Sequence, residues 1–240
     1  MSMIAFENVK KVYPGGNVAL SDVSLKVEKG EFVFVLGPSG AGKSTFLKLI
    51  LREETATEGR VIVNGYDLSC IKNRQIPYMR RSLGVVFQDF RLIPTMTAYE
   101  NVAFAMRVTN IPERKIRSRV PYVLNLVGLH DKARRYPPEM SGGEQQRVAL
   151  ARALVHSPPI IIADEPTGNI DPELSVEIME LLAAINKVGT TVVVVTHEHE
   201  LAAQFHQRTI YIENGTVVAD VSAAELQNGV PLPGRTGVAK

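Results

Sequence analysis

A nine-residue stretch at residues 37–45, GPSGAGKST, limits what this chain can fold into more than any other part of the sequence. It matches the phosphate-binding P-loop pattern G-x-x-x-x-G-K-[ST]. An apolar run at residues 32–36 predicts a buried strand before the loop, and residues 43–51 predict a helix after it. This order of strand, loop and helix is the context that a P-loop requires.

The P-loop pattern carries a specific chemistry. Its glycines let backbone N–H groups close around phosphate oxygens, and the helix N-terminus adds its positive dipole end. Lys43 is expected to reach the β- and γ-phosphates of a nucleoside triphosphate, and the Ser44 hydroxyl to ligate Mg²⁺. A chance glycine-rich turn is the alternative, and the correct flanking elements weigh against it. The expected nucleotide-contacting residues of the loop are Gly37, Pro38, Ser39, Gly40, Ala41, Gly42, Lys43, Ser44 and Thr45.

Composition sets the size and the broad class of the protein. With 240 residues and 45% hydrophobic content, the chain can form one large α/β domain, or a domain with a subdomain, around a real core. Its formal net charge of +2 favours neither a nucleic-acid coat nor an acidic partner. Cys70 is the only cysteine, which excludes an internal disulfide framework, and we expect it to be a small structural hydrophobe.

The sequence contains no pattern of a secretion signal or of a membrane span. Residues 1–10 lack a basic region followed by an apolar core, and the apolar runs are far shorter than the roughly 20 residues that cross a bilayer. Work at a membrane would therefore need a separate membrane subunit.

The order of patterns predicts one α/β domain over residues 1–225, followed by a flexible tail at 226–240. Antiparallel strands come first, helices without a strand fill a region of about 89–157, and alternating strands and helices return after it. A hairpin around Asn214-Gly215 closes the domain. Besides the strand at 32–36, the predicted strands are 4–12, 18–27, 60–63, 84–87, 160–163, 191–195, 209–212 and 216–219, and a helix is predicted at 172–186.

An acidic strand end complements the P-loop. In residues 160–165, IIIADE, Asp164 ends an apolar strand and is the expected Mg²⁺-shell residue. Adjacent Glu165 is the candidate base that orients and polarises the attacking water. A solvated acidic turn is the alternative for such a pair when it stands alone.

A second anion-binding end is predicted at residues 140–154, MSGGEQQRVALARAL, where Ser-Gly-Gly directly precedes a strong helix pattern. An ordinary capped amphipathic helix is the generic alternative. With Tyr13, the P-loop, Gln88, IIIADEP, the turn at 168–171 and His197, this stretch forms an ordered set that resembles the ATP-binding cassette (ABC) ATPases. The resemblance implies a P-loop NTPase core with a mostly parallel sheet, an N-terminal antiparallel β subdomain and an inserted α-helical subdomain.

The resemblance also implies roles that the residues alone do not. Tyr13 would stack on adenine, Gln88 would touch the Mg²⁺ and water shell, and His197 would hydrogen-bond the γ-phosphate. Taken singly, each is more often a packing or surface residue. The expected catalytic residues are thus Glu165, His197, Lys43 and Gln88, and the expected Mg²⁺ ligands are Ser44, Gln88 and Asp164.

In this family the signature acts on a second copy, so the resemblance implies a homodimer in the ATP-bound state. Asp171 would lie at that interface and couple the two sites. The physical reason is that the charge developing in the transition state needs hydrogen-bond donors on the side opposite the P-loop. The residues expected to close over the partner's ATP are Ser141, Gly142, Gly143 and Glu144.

Several stretches, among them GAGKS, REE and QDFRLIP, resemble the cell-division branch of the family. That branch implies an integral membrane partner and ATP-driven control of peptidoglycan hydrolysis, from the cytoplasmic face of the plasma membrane at the division site. A subunit of a lipoprotein-releasing or small-molecule exporter is the alternative, and a nucleotide-gated scaffold with little turnover is a third. No nucleic-acid partner is expected, because the basic clusters are better explained as solvated helix faces.

The partner is expected to dock next to Gln88. We expect residues 89–99 and the following helix to receive a short cytoplasmic helix of the partner in an apolar groove, with Phe90, Leu92 and Met96 as contacts. Packing roles are equally open for each of these side chains taken singly.

Overall fold

A computed structural model describes residues 2–168 and 170–231 of the chain. These residues fall into two compact units, one from residues 2–80 and 191–231 and the other from residues 81–168 and 170–190. In chain order the elements are β1 (Ser2–Val12), β2 (Val18–Glu28), β3 (Phe32–Leu36), α1 (Lys43–Ile50), β4 (Glu58–Val63), β5 (Tyr66–Asp67), α2 (Ile76–Arg81), β6 (Leu83–Val86), α3 (Ala98–Arg107), α4 (Glu113–Leu126), α5 (Gly142–Leu154), β7 (Ile160–Asp164), α6 (Pro172–Lys187), β8 (Thr191–Thr196), α7 (His199–Phe205), β9 (Arg208–Glu213), β10 (Thr216–Val221) and α8 (Ala223–Gln227).

The first unit contains an antiparallel sheet with strand order β2-β1-β4-β5. Ile4 of β1 pairs with Val27 of β2 on one side and with Val63 of β4 on the other. The register of β1 against β2 shifts at several points, which explains why the alternation of apolar and polar residues is broken in the sequence. The antiparallel region predicted before the P-loop is present, and β4 extends it as expected.

The same unit contains the parallel strands that lead to the P-loop. β3 pairs in parallel with β8 and with β9, and β9 turns back into β10 through Asn214 and Gly215, both with positive φ. All five residues of β3 are buried, as its continuous apolar sequence predicts for a central strand. The core between the elements includes a stacked pair of fully buried rings, Phe6 and Phe46, with centroids 4.6 Å apart.

The second unit is built on the parallel pair β6 and β7 with four helices. α5 packs against β6, and α3 packs against both α4 and α5. The contact between α5 and β6 is close, because a Cβ at Gly84 would lie 2.8 Å from the carbonyl oxygen of Ala153. All residues from 89 to 157 are described, and they form helices and turns but no strand, which matches the helical insertion predicted there.

Some features differ from the sequence-based expectation. Cys70 is exposed, so its prediction as a buried structural hydrophobe is wrong; its thiol instead contacts the carbonyl oxygen of Asp67 on a polar turn. α2, α7, α8 and the short strand β5 were not predicted. The expected tail from residue 226 overlaps the end of α8, where Leu226 is buried, and residues 232–240 of it lie outside the described part of the chain. No helix within the described ranges is long and apolar enough to cross a membrane.

One buried side chain shapes the loop that precedes α3. Asn101, only 1% exposed, accepts a hydrogen bond from the backbone N–H of Ile93 (2.8 Å) and donates to the carbonyl oxygens of Ile93, Met96 and Thr97 at 2.9–3.1 Å. A single amide therefore binds four backbone groups of the segment that leads into α3.

We expect Asn101→Asp to destabilise the second unit strongly. The substitution replaces a donor by a carboxylate that faces three carbonyl oxygens in a buried site, which costs about 3 kcal/mol or more. For a chain of this size, that corresponds to a fall of about 6–12 °C in the midpoint of thermal unfolding.

The matched control is Asn125→Asp, the same substitution at an exposed position of α4. It should change stability by no more than about 0.5 kcal/mol. Equal midpoints for the two variants would contradict the role assigned to Asn101.

Candidate functional site

The P-loop joins the end of β3 to the start of α1. Gly42 is the N-cap of α1, with φ of +109°, and its helix end carries no side-chain cap hydrogen bond. Glycine has no side-chain oxygen that could cap the first-turn N–H groups, which suits an anion-binding helix end. Ser44 is exposed at this end, whereas Thr45 is buried.

Lys43 lies within the loop. Its side chain is largely buried, and its ammonium donates to the carbonyl oxygens of Gly37 (2.6 Å) and Pro38 (3.0 Å). A buried ammonium held by backbone carbonyls gives the loop a fixed positive charge. This charge and the N–H groups of the helix end fit a polyanionic ligand.

The hairpin of β9 and β10 contacts and supports the P-loop, which the sequence did not indicate. Gly215, in the hairpin turn, donates to the carbonyl oxygen of Ala41 (3.0 Å) and accepts from the backbone N–H of Ser21 (2.8 Å). Gly37 lies directly against β9, where an added Cβ would overlap the carbonyl oxygen of Ile212. The loop thus fits between strands with no space for a side chain at Gly37.

Tyr13, the expected adenine platform, is anchored to the P-loop helix. Its hydroxyl lies 3.3 Å from the Thr45 hydroxyl, and the ammonium of Lys11 lies 4.8 Å from the centre of its ring. Lys11 also forms an ion pair with Glu54 at 2.8 Å, and this hydrogen bond lowers the pKa of the Glu54 carboxyl. A half-buried aromatic ring is therefore fixed next to the P-loop.

His197 leaves the sheet beside the P-loop. In the parallel register, Leu36 of β3 pairs with Thr196 of β8, so Gly37 and His197 follow neighbouring strand ends. His197 is exposed. The topology of the first unit therefore brings together three of the predicted features: Tyr13, the P-loop and His197.

The second unit brings another group of predicted residues together in the same way. Val86 of β6 pairs with Ala163 of β7, so Gln88 and Glu165 follow neighbouring strand ends two residues later. Gln88 also lies beside the turn after Glu165, because a Cβ on Gly168 would be 3.1 Å from its side-chain nitrogen. Asp164 ends β7 and is half-buried.

Glu165 has an unusual backbone conformation that a buried side chain supports. Its φ is +45°, a left-handed conformation that is uncommon outside glycine and is often associated with functional sites. Fully buried Gln146 of α5 donates a 2.6 Å hydrogen bond to the carbonyl oxygen of Pro166, the next residue. Sequence reasoning missed Gln146; the available signal was a polar residue on the apolar face of a helix.

The predicted signature stretch forms the start of α5. Ser141 is the N-cap: its hydroxyl oxygen accepts from the backbone N–H of Glu144 (3.3 Å), and its own N–H donates to the Glu144 carboxylate (3.0 Å). Lys132 forms a 2.8 Å ion pair with Glu144, and this contact is the largest cause of the lowered pKa of the Glu144 carboxyl. The stability from this group is therefore present above its unfolded pKa and is lost as pH falls through the lowered, folded value.

The starts of α5 and α6 lie side by side. A Cβ on Gly143 would be 2.6 Å from the Cδ1 atom of Leu174 in the first turn of α6. Asp171 is the N-cap of α6 and accepts from the backbone N–H of Leu174 (3.1 Å). The signature and Asp171 are thus adjacent, while Asn169 of the predicted turn lies outside the described residues.

Comparisons with known proteins agree on a family. The sequence profile of the ABC transporter family matches residues 20–168. The cell division ATP-binding protein FtsE of Bacillus subtilis is 52% identical over 223 residues, which cover 93% of this chain and 98% of that protein. FtsE of Escherichia coli K12 is 44% identical over 213 residues, covering 89% and 96% of the two chains.

Solved structures agree on the fold. A dimeric structure of the ATP-binding cassette MJ0796, in a post-hydrolysis state bound to ADP and Pi, is 39% identical with a TM-score of 0.83 and covers 92% of this chain and 99% of that one. cbiO1 from Clostridium perfringens, part of the ABC transporter complex cbiONQ, is 28% identical with a TM-score of 0.88, covering 95% and 91%.

We expect Gly37→Ala to disrupt the loop. Its φ of +156° and the overlap of a Cβ with the Ile212 carbonyl oxygen force either the loop or β9 to move. Because β9 is held in the sheet by β3 and β10, we expect a cost of about 3 kcal/mol, measured as a lower midpoint of thermal unfolding.

Gly40→Ala, in the same loop, provides the control. Its φ is +80°, but nothing lies within 4 Å of the added Cβ. Only backbone strain of about 1–2 kcal/mol should follow. A Gly37 variant as stable as the Gly40 variant would contradict the close packing against β9.

Proposed function

This chain belongs to the ABC transporter family, and from that premise we propose that it is the ATP-binding and ATP-hydrolysing subunit of a membrane complex of the FtsE type. The observation that carries the proposal is that, in each unit, predicted site residues follow two neighbouring strand ends. In one unit the P-loop and His197 follow β3 and β8, and in the other Gln88 and Glu165 follow β6 and β7. Relatives named FtsE, alike over nearly their whole length, support the cellular role.

ATP binding rests on the P-loop. Its N–H groups and Lys43 would hold the β- and γ-phosphates, and the fixed ring of Tyr13 would stack on adenine. Mg²⁺ fits the donors available, since Ser44, Asp164 and Gln88 all offer oxygen atoms, which this ion prefers. When bound, the ion would neutralise charge on the phosphates.

Hydrolysis needs an oriented water. Glu165 would accept its proton and Gln88 would help to position it, while His197 would donate a hydrogen bond to the γ-phosphate. The left-handed backbone of Glu165, supported through Gln146 and Pro166, is consistent with a carboxylate held for one orientation.

Two copies of the chain would complete each site. The N-terminus of α5, with Ser141, Gly142 and Gly143, offers N–H groups and a hydroxyl to the triphosphate bound by the other copy. Asp171, adjacent to this end, would lie at the interface. The dimeric cassette among the similar structures supports this arrangement.

The complex would include an integral membrane partner of the FtsX type, and its output would be control of peptidoglycan hydrolysis at the division site, from the cytoplasmic face of the plasma membrane. We place the partner contact at residues 89–99. Phe90, Leu92 and Met96 are each partly exposed there, as a docking segment requires. Isolation of the chain from membranes would separate this role from that of an exporter or lipoprotein-releasing subunit, which would bring a substrate-translocating permease instead.

Two variants should separate nucleotide binding from hydrolysis. Lys43→Ala removes the ammonium that grips the phosphates, and we expect ATP affinity to fall at least tenfold, measured with a fluorescent ATP analogue. Glu165→Gln keeps the shape of the side chain but removes the base, so affinity should change less than threefold while turnover falls at least 100-fold.

The same pair tests alternatives. If Glu165→Gln hydrolyses ATP as fast as the unsubstituted chain, Glu165 is not the base. That result would favour the alternative of a nucleotide-gated scaffold. Because Glu165→Gln should not consume ATP, sedimentation velocity of this variant with ATP and Mg²⁺ should show a dimer. A monomer at saturating ATP would count against the shared site.

We expect Leu92→Asp to abolish recruitment to membranes that contain the partner, because it places a charge in an apolar contact. Recruitment is measured by sedimentation with membrane vesicles, and ATP affinity should be unchanged. Val188→Asp is the control, since Val188 is a highly exposed apolar residue elsewhere in the same unit and should be neutral. Loss of ATP binding in Leu92→Asp would contradict the docking role.

A further inference from the structure

The segment that follows Gln88 has a strained backbone. Phe90 and Arg91 both have left-handed conformations, with φ of +57° and +48°. Two consecutive non-glycine residues of this kind persist only where their surroundings hold them. Local hydrogen bonds supply part of this support, from the N–H of Phe90 to Phe87 (3.1 Å) and from that of Arg91 to Asp89 (2.6 Å), each to the carbonyl oxygen.

One side chain from α5 binds both strained residues. Arg152 donates to the carbonyl oxygen of Phe90 through one terminal nitrogen (2.7 Å) and to that of Arg91 through the other (2.5 Å). The planar guanidinium presents its donors in a fixed fork, so these two bonds set the orientation of two successive peptide groups. A lysine ammonium cannot reproduce that geometry.

The charges around Arg152 also restrict the segment. Arg91 stacks on the ring of Phe87, 3.7 Å from its centre, and forms an ion pair with Asp89 at 3.3 Å. Burial is the main cause of a lowered pKa for Arg152, the charge of Arg91 adds to it, and Asp89 opposes it. Two cations therefore lie close together, and Asp89 and the two carbonyl oxygens compensate them.

α5 also supports the neighbouring strand end. Gln146 on this helix binds the carbonyl oxygen next to Glu165, and the helix begins at the Ser141 cap. The side chains of one helix thus hold the segments that follow β6 and β7. A force applied to residues 89–99 would act on α5 through Arg152.

We propose that Arg152 is a positioning residue, which fixes the segment after Gln88 and links it mechanically to the signature helix. The proposal rests on the function proposed above, because Gln88 matters only if this site hydrolyses a nucleotide. It assigns to Arg152 no contact with the nucleotide.

The test compares Arg152→Met with Arg119→Met in the full chain. Arg119 is a matched control, since it too donates to two backbone carbonyls, those of Leu154 (3.3 Å) and Val155 (3.0 Å), but at the far end of α5. The direct readout is amide hydrogen exchange of residues 88–92, and the functional readout is the split between kcat and KM for ATP.

In Arg152→Met we expect exchange at residues 88–92 to accelerate at least tenfold and kcat to fall about tenfold, with KM within about twofold. Arg119→Met should leave both readouts within twofold, even if its thermal midpoint falls equally. Arg152→Lys, which keeps the charge and is expected to fold, should show intermediate exchange and kcat.

Unchanged exchange at residues 88–92 in Arg152→Met and Arg152→Lys would overturn the proposal. An equal loss of kcat in Arg119→Met would overturn it too, because that result marks a general structural effect. Failure of the proposed function looks different: the unsubstituted chain would then show no turnover that depends on Glu165, while the exchange comparison would still decide whether Arg152 holds the segment.

Discussion

The close approach of Gly37 to the backbone of β9 is the constraint on which the nucleotide-binding half of this protein depends. It requires β3 to lie between β8 and β9 in a fixed parallel register, because only then do the P-loop, His197 and the β9–β10 turn meet at one edge. The hydrogen bond from Gly215 to Ala41 then ties the loop to the β9–β10 turn. The conformation of the P-loop is therefore a property of three strands as well as of nine consecutive residues.

In the second unit, α5 fixes the backbone that follows the strand ends. Its backbone packs on β6 at Gly84, and its side chains Gln146 and Arg152 bind carbonyl oxygens beyond β7 and β6. Glu165, Phe90 and Arg91 all have positive φ, so the helix supports the chain where its conformation is most costly. Removal of either side chain would take away hydrogen bonds to carbonyl groups at or next to strained residues, and their geometry would then relax.

Much of this architecture is readable in the sequence, for identifiable reasons. The buried strands β3, β7 and β8 are continuous apolar runs, the Asn214-Gly215 turn has strong hairpin chemistry, and Ser141 and Asp171 are favourable N-caps. These are local signals, which depend on residues close in the chain. The pairing of strand ends follows from parallel topology, so the grouping of Gln88 with Glu165 could also be anticipated.

What the sequence did not reveal depends on contacts between distant residues. Arg152 lies in a helix where an arginine is ordinarily a solvated residue, and only the tertiary structure shows that its fork meets two carbonyl groups some 60 positions earlier in the chain. Asn101 and Gln146 are similar, because a polar residue on the apolar face of a helix does not show which backbone groups its amide binds. The prediction for Cys70 was wrong for a different reason. Cysteine prefers the interior, but the place of Cys70 on a polar turn outweighs that preference and leaves the side chain exposed.

The contacts at the start of α5 explain how an acidic residue can lie in a stretch that we propose to bind an anion. A carboxylate at Glu144 would repel a triphosphate, but its ion pair with Lys132 and its hydrogen bond from the N–H of Ser141 offset that charge. The Ser141 hydroxyl accepts from Glu144 through a lone pair, so capping leaves its hydrogen available to donate to a phosphate oxygen. Under the proposed function, capping of the helix and recognition of an anion would therefore use different parts of one side chain, and the residues that stabilise α5 would also prepare its end for binding.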